Sequence, residues 1–276
     1  MNANKESKLL IGTSGYDYPE WKGGFYPEKL ARNKFLEYYS EQFNSLELNG
    51  TFYRMPSAEQ MQKMIERSQK RLRFTIKAFQ GLTHAFNQGN DQNPPGLIKN
   101  QYMLLANEFK KAIEPLLIDN LLLCALFQFP ESFHYEKEER IYLDLLLKET
   151  ADIPVVIEMR NSKWQNDQVY TSLKERNVGW CITDNPDLKN LMKLDYTVTS
   201  DIAYLRFHGR NEKMWYKGDN VTRYDYFYSD EELQSFVEPI QQLLKRAKIV
   251  QLFFNNHAKS QAVINAKKIE MLLKEN

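Results

Sequence analysis

The sequence predicts a single-domain α/β fold over residues 1–276, a TIM-like (β/α)8 barrel of parallel strands. Three observations carry that reading. Eight short apolar runs alternate with amphipathic segments, and such alternation favours parallel strands. The length, 276 residues, suits one domain of a fold that uses roughly 250. Every apolar run ends in polar or small residues, as the functional rim of a barrel requires. An open doubly wound sheet is the alternative architecture.

The elements follow in order. LLIG (9–12) is the first strand. KLARNKFLEYYSEQF (29–43) is a helix with Leu30, Phe35, Leu36, Tyr39 and Phe43 along one side. SLELN (45–49) is the second strand. SAEQMQKMIERS (57–68) is a helix opened by a Ser cap after Pro56. RFTIKAF (73–79) is the third strand, and a long loop, THAFNQGNDQNPPG, follows it. A helix from about Lys99 to Leu116 leads to LLLCALFQF (121–129), the fourth strand. Residues 138–149 are helical, and PVVIEMR (154–160) is the fifth strand. A helix from Asp167 to Arg176 precedes VGWCITD (178–184), the sixth strand. The stretch after it is irregular. AYLRFH (203–208) is the seventh strand. SDEELQSFVEPIQQLLKRA (229–247) has a Ser cap, an acidic first turn and a basic last turn, as the helix dipole favours. IVQLFFNN (249–256) is the eighth strand, and SQAVINAKKIEMLLK (260–274) the last helix.

Composition narrows the function classes. Hydrophobic residues make up 42% and charged residues 26%, an ordinary balance for a globular chain. A formal net charge of +1 provides no global field toward nucleic acid or an anionic membrane. The two cysteines, Cys124 and Cys181, lie in apolar runs without metal-ligand spacing and read as buried thiols. The start, MNANKESK, lacks an apolar signal core. The greasiest stretch, IEPLLIDNLLLCALFQFP, is broken by Glu114, Asp119, Asn120 and prolines. The expectation is a soluble, cytoplasmic protein with no membrane partner.

The strand ends supply the candidate chemistry. They carry Thr13 and Ser14, Glu47 and Asn49, Lys77, Gln128, Glu158 and Arg160, Thr183 and Asp184, Arg206 and His208, and Asn255 and Asn256. Glu47 and Asn49 are two apart and share a face, as do Glu158 and Arg160. Burying so many polar groups is costly unless they pair or serve a ligand. Glu47 with Lys77, or Glu158 with Arg206, would be purely structural pairs. Two neighbouring loops are rich in aromatics: GTSGYDYPEWKGGFYP after strand one and GRNEKMWYKGDNVTRYDYFYS after strand seven. In a closed barrel they meet over Asn255 and Asn256, to take a flat ligand or to pack as a lid.

Eight segments resemble the YecE-like family, also called domain of unknown function 72: GTSGYDYPEWKGGFYP (12–27), SLELNGTFYRMPS (45–57), FTIKAFQGLTH (74–84), LFQFPESF (126–133), VIEMRNSKW (156–164), CITDNP (181–186), YLRFHGR (204–210) and LFFNNH (252–257). They span nearly the whole chain in order. The resemblance implies a TIM-like barrel and brings no activity with it. The chain departs from the family pattern in places. Tyr16 stands where many members have Trp. His257 and Ser260 stand where a smaller polar residue and a glycine are usual. The stretch after Asp184-Asn185-Pro186 is poorer in proline.

The favoured functional reading is an enzyme acting on a small anionic, sugar-like ligand, phosphorylated or carboxylate-bearing, in a pocket at the C-terminal rim. Arg206, Arg210, Asn255 and Asn256 would hold the anion, helped by Thr13 and Ser14. Glu47, Glu158 and His208 would move protons, with Tyr53 orienting one of them. Lys77 would stabilise negative charge or, less favoured, form a Schiff base. Asn49, Arg160 and Asp184 complete the ligand-binding set. One alternative is a metal-dependent barrel resembling sugar isomerases or apurinic endonucleases, with Glu47, Glu158, Asp184 and His208 as ligands. Lys77, Arg160 and Arg206 on the same rim oppose a cation, so no metal or other cofactor is assigned. The other alternative is a non-catalytic nucleic-acid or protein binding module, disfavoured for nucleic acid by the near-neutral charge. Oligomeric state has no signature in these residues.

Overall fold

The apolar runs form strands because they are buried on both sides, one face toward a barrel axis and one toward helices. In the computed structural model of the chain, residues 8–84, 95–219 and 221–275 are described, the side chains of 95–100 excepted. The strands are β1 (Lys8–Thr13), β2 (Ser45–Leu48), β3 (Arg73–Lys77), β4 (Leu122–Gln128), β5 (Val155–Glu158), β6 (Gly179–Asp184), β7 (Ile202–Phe207) and β8 (Ile249–Phe254). All pair in parallel, in the order β1-β8-β7-β6-β5-β4-β3-β2. The ring closes between β1 and β2 through one bridge, Ser14 to Glu47, and a hydrogen bond from Gly15 N to Glu47 O of 2.8 Å.

Helices follow seven of the strands, as the alternation predicts. They are α1 (Phe35–Gln42), α2 (Gly50–Tyr53), α3 (Ala58–Arg67), α4 (Pro95–Ile118), α5 (Lys137–Glu149), α6 (Asp167–Glu175), α7 (Asp230–Arg246) and α8 (Gln261–Glu275). The β6–β7 connection contains no helix. Ser57 and Ser229 close reciprocal capping boxes with Gln60 and Glu232, so both predicted caps are present. The helix expected from Lys29 starts only at Phe35, after a short 3-10 turn at Arg32–Lys34. The four-residue α2 falls outside every sequence expectation. Most of the long loop expected after β3, residues 85–94, lies outside the described residues, as do residues 1–7.

Two apolar layers hold the barrel. Leu10, Leu126, Val156, Cys181, Tyr204 and Phe253 fill its interior. A larger shell, including Trp21, Phe74, Phe127, Ile157, Leu205 and Phe254, packs between strands and helices. The alternation of strand residues decides which layer each joins. Cys124 and Cys181 are buried free thiols, as expected. Among the described residues, no helix is long and apolar enough to cross a membrane.

Candidate functional site

Strand parity sorts the polar residues into two sets. The interior set continues the sequence of Leu10, Thr75, Val156, Cys181, Tyr204 and Phe253 toward the C-terminal mouth. It comprises Ser14, Glu47, Lys77, Glu158, Thr183, Arg206, His208 and Asn255. The opposite parity places Thr13, Asp184 and Asn256 on the outer face of the sheet, against helices.

Arg206 is the centre of the interior set. Its side chain is 1% exposed. Nη1 donates to Glu158 Oε2 at 2.5 Å, and Nη2 donates to Glu47 Oε1 at 2.6 Å and to Ser14 Oγ at 3.5 Å. The Tyr204 hydroxyl, one step deeper on the same face of β7, donates to the second oxygen of Glu47. Burial works against charge here, but two carboxylates on one guanidinium outweigh it. Burial alone would raise Glu158; Arg206 first, then His208 and Arg160, hold it well below the ordinary carboxylate range. Glu158 is therefore an ionised acceptor, suited to a base rather than an acid. Arg206, expected to grip a ligand, instead grips these two carboxylates.

His208 stands beside this clamp. Its Nδ1 lies 3.1 Å from Asn255 Nδ2, which puts the ring proton on Nε2. Nε2 lies 3.3 Å from Glu158 Oε1 but outside hydrogen-bond geometry. Burial lowers His208 to about 4 despite the neighbouring Glu158, so the ring is neutral at pH 7. Trp215 and Tyr224, from the loop after β7, flank it at ring distances of 6.3 and 5.8 Å.

Lys77 differs from the other cations of the mouth. It is half-buried at the end of β3. Among the described residues, its ammonium makes no hydrogen bond or ion pair. It lies over the Phe52 ring, 4.1 Å from the centroid, and His84 meets the same ring edge-on at 4.8 Å. Burial first, then the charges of Arg206 and Arg160, lower Lys77 to about 7. Burial, with Lys77 and Arg160 nearby, also lowers His84 to about 4. Arg160, half-buried, donates from Nη2 to the Tyr224 hydroxyl at 3.0 Å and approaches Glu158 Oε1 at 3.4 Å. Burial would raise the Tyr224 phenol, but Arg160 outweighs it and makes the phenol more acidic.

Four candidates do not join the mouth. Asp184 accepts from Arg210 Nε (3.0 Å) and Nη2 (2.7 Å) and from the Tyr228 hydroxyl (2.5 Å) on the outer face. Arg210 also bridges to Glu232 of the α7 capping box at 3.1 Å. Gly209, at φ +82°, makes the turn that carries Arg210 away from Arg206. Thr13 bonds to Tyr39 of α1 and to the Gly15 carbonyl. Asn256 donates to Tyr226 O and Asn265 Oδ1. These are structural pairs between strand ends and helices.

The aromatic loops do meet across the end of β8. The His257 ring stacks on Tyr18 of the first loop, 4.6 Å between centroids, and lies 6.1 Å from Tyr224 of the second. The Trp21 indole donates to His257 O at 2.7 Å. Trp21, Tyr26, Trp215 and Tyr228 are all buried, so most of these rings serve as lid packing. Beside β1 and β2 the rim stays open, with a cleft of about 610 Å³ lined by Tyr16, Tyr18, Asn49, Thr51, Tyr53 and Arg54 among others. Tyr53 is 63% exposed there. Asn49 carries a buried amide oxygen without a hydrogen-bond partner among the described residues. Thr51 Oγ1 donates to the backbone carbonyl of Lys77 at 2.6 Å, which ties the cleft wall to the end of β3; the Lys77 and Arg160 side chains do not line the cleft.

Tyr204 and Tyr224 are the contributors sequence reasoning missed. Tyr204 carried a signal, since it shares the parity of Arg206 and His208. Tyr224 carried only its place in an aromatic loop. The metal alternative meets a steric obstacle: the Arg206 guanidinium sits between Glu47 and Glu158, and Asp184 lies on the other face. Among the described residues, no three His, Cys, Asp or Glu side chains converge to hold an ion.

Known proteins resemble this chain in sequence or in fold. UPF0759 protein YunF of Bacillus subtilis (strain 168) is 29% identical over 276 residues, covering 96% of this chain and 94% of the relative. The crystal structure of a DUF72 family protein from Thermotoga maritima MSB8 superposes with a TM-score of 0.86 at 33% identity, covering 97% of this chain and 99% of the other. A second DUF72 family structure, from Enterococcus faecalis V583, has the same fold, with a TM-score of 0.82 at 23% identity over 96% and 95% of the two chains. The family described as "Protein of unknown function DUF72" matches residues 10–276, and this chain belongs to it.

Proposed function

We propose that the chain is an enzyme that takes a small anionic, sugar-like ligand, phosphorylated or carboxylate-bearing, at the C-terminal mouth of the barrel. The observation that carries this reading is the unmatched charge of Lys77. The interior face of the mouth gathers three cations, Lys77, Arg160 and Arg206, against two carboxylates, Glu47 and Glu158. Both carboxylates are held by Arg206. Among the described residues Lys77 has no carboxylate in contact, and a half-buried cation without a counter-ion is costly. An anionic ligand group would supply the missing charge. Anion holding therefore falls to Lys77 and Arg160 rather than to Arg206 and Arg210. Glu158, ionised, is the proton acceptor of this set, whereas the neutral His208 ring carries its proton on Nε2 and accepts from Asn255 at Nδ1. The cleft beside Asn49 and Tyr53 has room for the rest of a sugar-sized ligand, and its tyrosines suit a ring face.

The test is calorimetric binding of sulfate, ribose 5-phosphate, glucuronate and neutral ribose. The anions bind and ribose does not. Arg160→Gln and Lys77→Met each weaken anion binding by about tenfold, the scale of one charge-assisted hydrogen bond. Arg210→Lys leaves it unchanged, because Arg210 lies outside the mouth. Equal binding of ribose and its phosphate would defeat the proposal.

A further inference from the structure

We infer that Lys77 is the nucleophile of this mouth, forming an imine with a small aldehyde or ketone that also carries a phosphate or carboxylate. The inference rests on the reading of the mouth as an anion site and adds a reaction to it. Its basis is the placing of the amine. Lys77 ends β3, where the Thr51 hydroxyl binds its carbonyl at 2.6 Å and the next backbone N–H, of Ala78, binds Leu126 O at 2.8 Å. The backbone is thus fixed, while the ammonium lies over the Phe52 ring and makes no hydrogen bond or ion pair among the described residues. The charged and titratable groups that face it are Arg206, Arg160, Glu158, Glu47 and His84. Both carboxylates are bonded to Arg206 and neither to the amine, so their pull toward its protonated form is smaller than the push of burial and the two guanidinium groups.

A nucleophilic lysine must be neutral. An exposed lysine with a pKa near 10.4 is neutral in roughly one molecule in two thousand at pH 7. Lys77, lowered by burial and two guanidinium groups to about 7, is neutral about half the time. This matches the requirement for an amine activated by desolvation beside other cations. Arg160 is left to hold the ligand's anionic group.

The step balances without a co-reactant. The Nζ lone pair attacks the carbonyl carbon; a C–N bond forms and the C=O π pair moves to oxygen. Nitrogen releases a proton to Glu158, which passes it to that oxygen, giving a carbinolamine. The nitrogen lone pair then forms C=N as the C–O bond breaks. A second proton, from an acid such as the Tyr224 phenol, lets the oxygen leave as water, and nitrogen's remaining proton stays on the imine. Amine and carbonyl have become iminium and water, with nothing oxidised or reduced.

Borohydride trapping on the native chain tests this without requiring any variant to fold. The protein is incubated at pH 7 with glyoxylate or dihydroxyacetone phosphate plus cyanoborohydride, and adducts are mapped by peptide mass spectrometry. Lys77 is expected to be labelled at least about tenfold faster than the average lysine, given its larger neutral fraction. Sulfate should slow labelling of Lys77 but not of surface lysines. Arg160→Gln should slow labelling by the anionic carbonyls more than labelling by neutral glycolaldehyde, which feels only the loss of a guanidinium that keeps the Lys77 amine neutral. Labelling of Lys77 no faster than the average overturns the inference. If sulfate still binds in an Arg160-dependent way, the anion reading survives that result; if it does not, both fall.

Discussion

The ammonium of Lys77 lies 4.1 Å above the ring of Phe52 and meets no carboxylate among the described residues. Its charge near neutral pH is therefore set by its surroundings, and anion binding should read that charge. Sulfate stays ionised across the whole range, so any pH dependence belongs to the protein. Its affinity is expected to fall about tenfold or more between pH 6 and pH 9, as Lys77 loses its proton around 7. In Lys77→Arg the affinity should be flat over the same range. Calorimetric titration at four pH values checks both arms, and a flat profile in the unsubstituted chain would contradict the assigned role.

Arg206 holds two buried carboxylates at once. Arg206→Met leaves Glu47 without its cation and Glu158 with only Arg160, at 3.4 Å. The expected loss is about 3–5 kcal/mol of stability, typical of breaking a buried pair from one side. Urea unfolding measures it. A loss below about 1 kcal/mol would mean that the clamp is not a stabilising unit.

His208 makes the fold acid-sensitive. Its folded pKa, about 4, lies below the 6.5 of the unfolded chain. Between those values the unfolded state binds the extra proton, so stability falls as pH drops through the window and levels off below it. The difference is worth about 3 kcal/mol. His84 titrates in the same window. The His208→Asn variant isolates the first contribution: its stability should fall less steeply between pH 6.5 and pH 4. An identical slope would remove His208 from the explanation.

Ser260 occupies a left-handed backbone position, φ +63°, next to Lys259 at φ +51°. Glycine is the residue that the family resemblance implies there, and glycine has no Cβ to strain. Ser260→Gly is expected to stabilise the chain by about 1 kcal/mol. It should leave sulfate binding unaltered. A thermal melt that moved downward would show that the serine side chain contributes more than the strain costs.

The barrel was legible in the sequence because eight apolar runs alternate with helical segments, the count that closes a (β/α)8 ring. The face of each polar residue was less so. Glu47, Glu158, Arg206 and His208 were recognised together, and they do converge. Asp184 did not follow. In WCITD both parities are buried, since a parallel strand packs on two sides, and hydrophobic alternation gives no hint of which residue points inward. The same blindness applies to Thr13 and Asn256. Arg210 follows Gly209, whose left-handed turn breaks the strand's parity. The Lys77–Phe52 contact depends on α2, a single turn of GTFY too short for a periodic signal. Tyr204 was readable from its spacing to Arg206, whereas Tyr224 reaches Arg160 from a loop whose course is set by tertiary packing.

The most direct measurement is a crystal of this chain soaked in sulfate and, separately, in ribose 5-phosphate. The account predicts anion density within about 3 Å of Lys77 Nζ and Arg160, at hydrogen-bond distance, with the Arg206–Glu47–Glu158 clamp undisturbed. Anions found only on surface lysines, with the mouth empty and Lys77 still resting on Phe52, would contradict it.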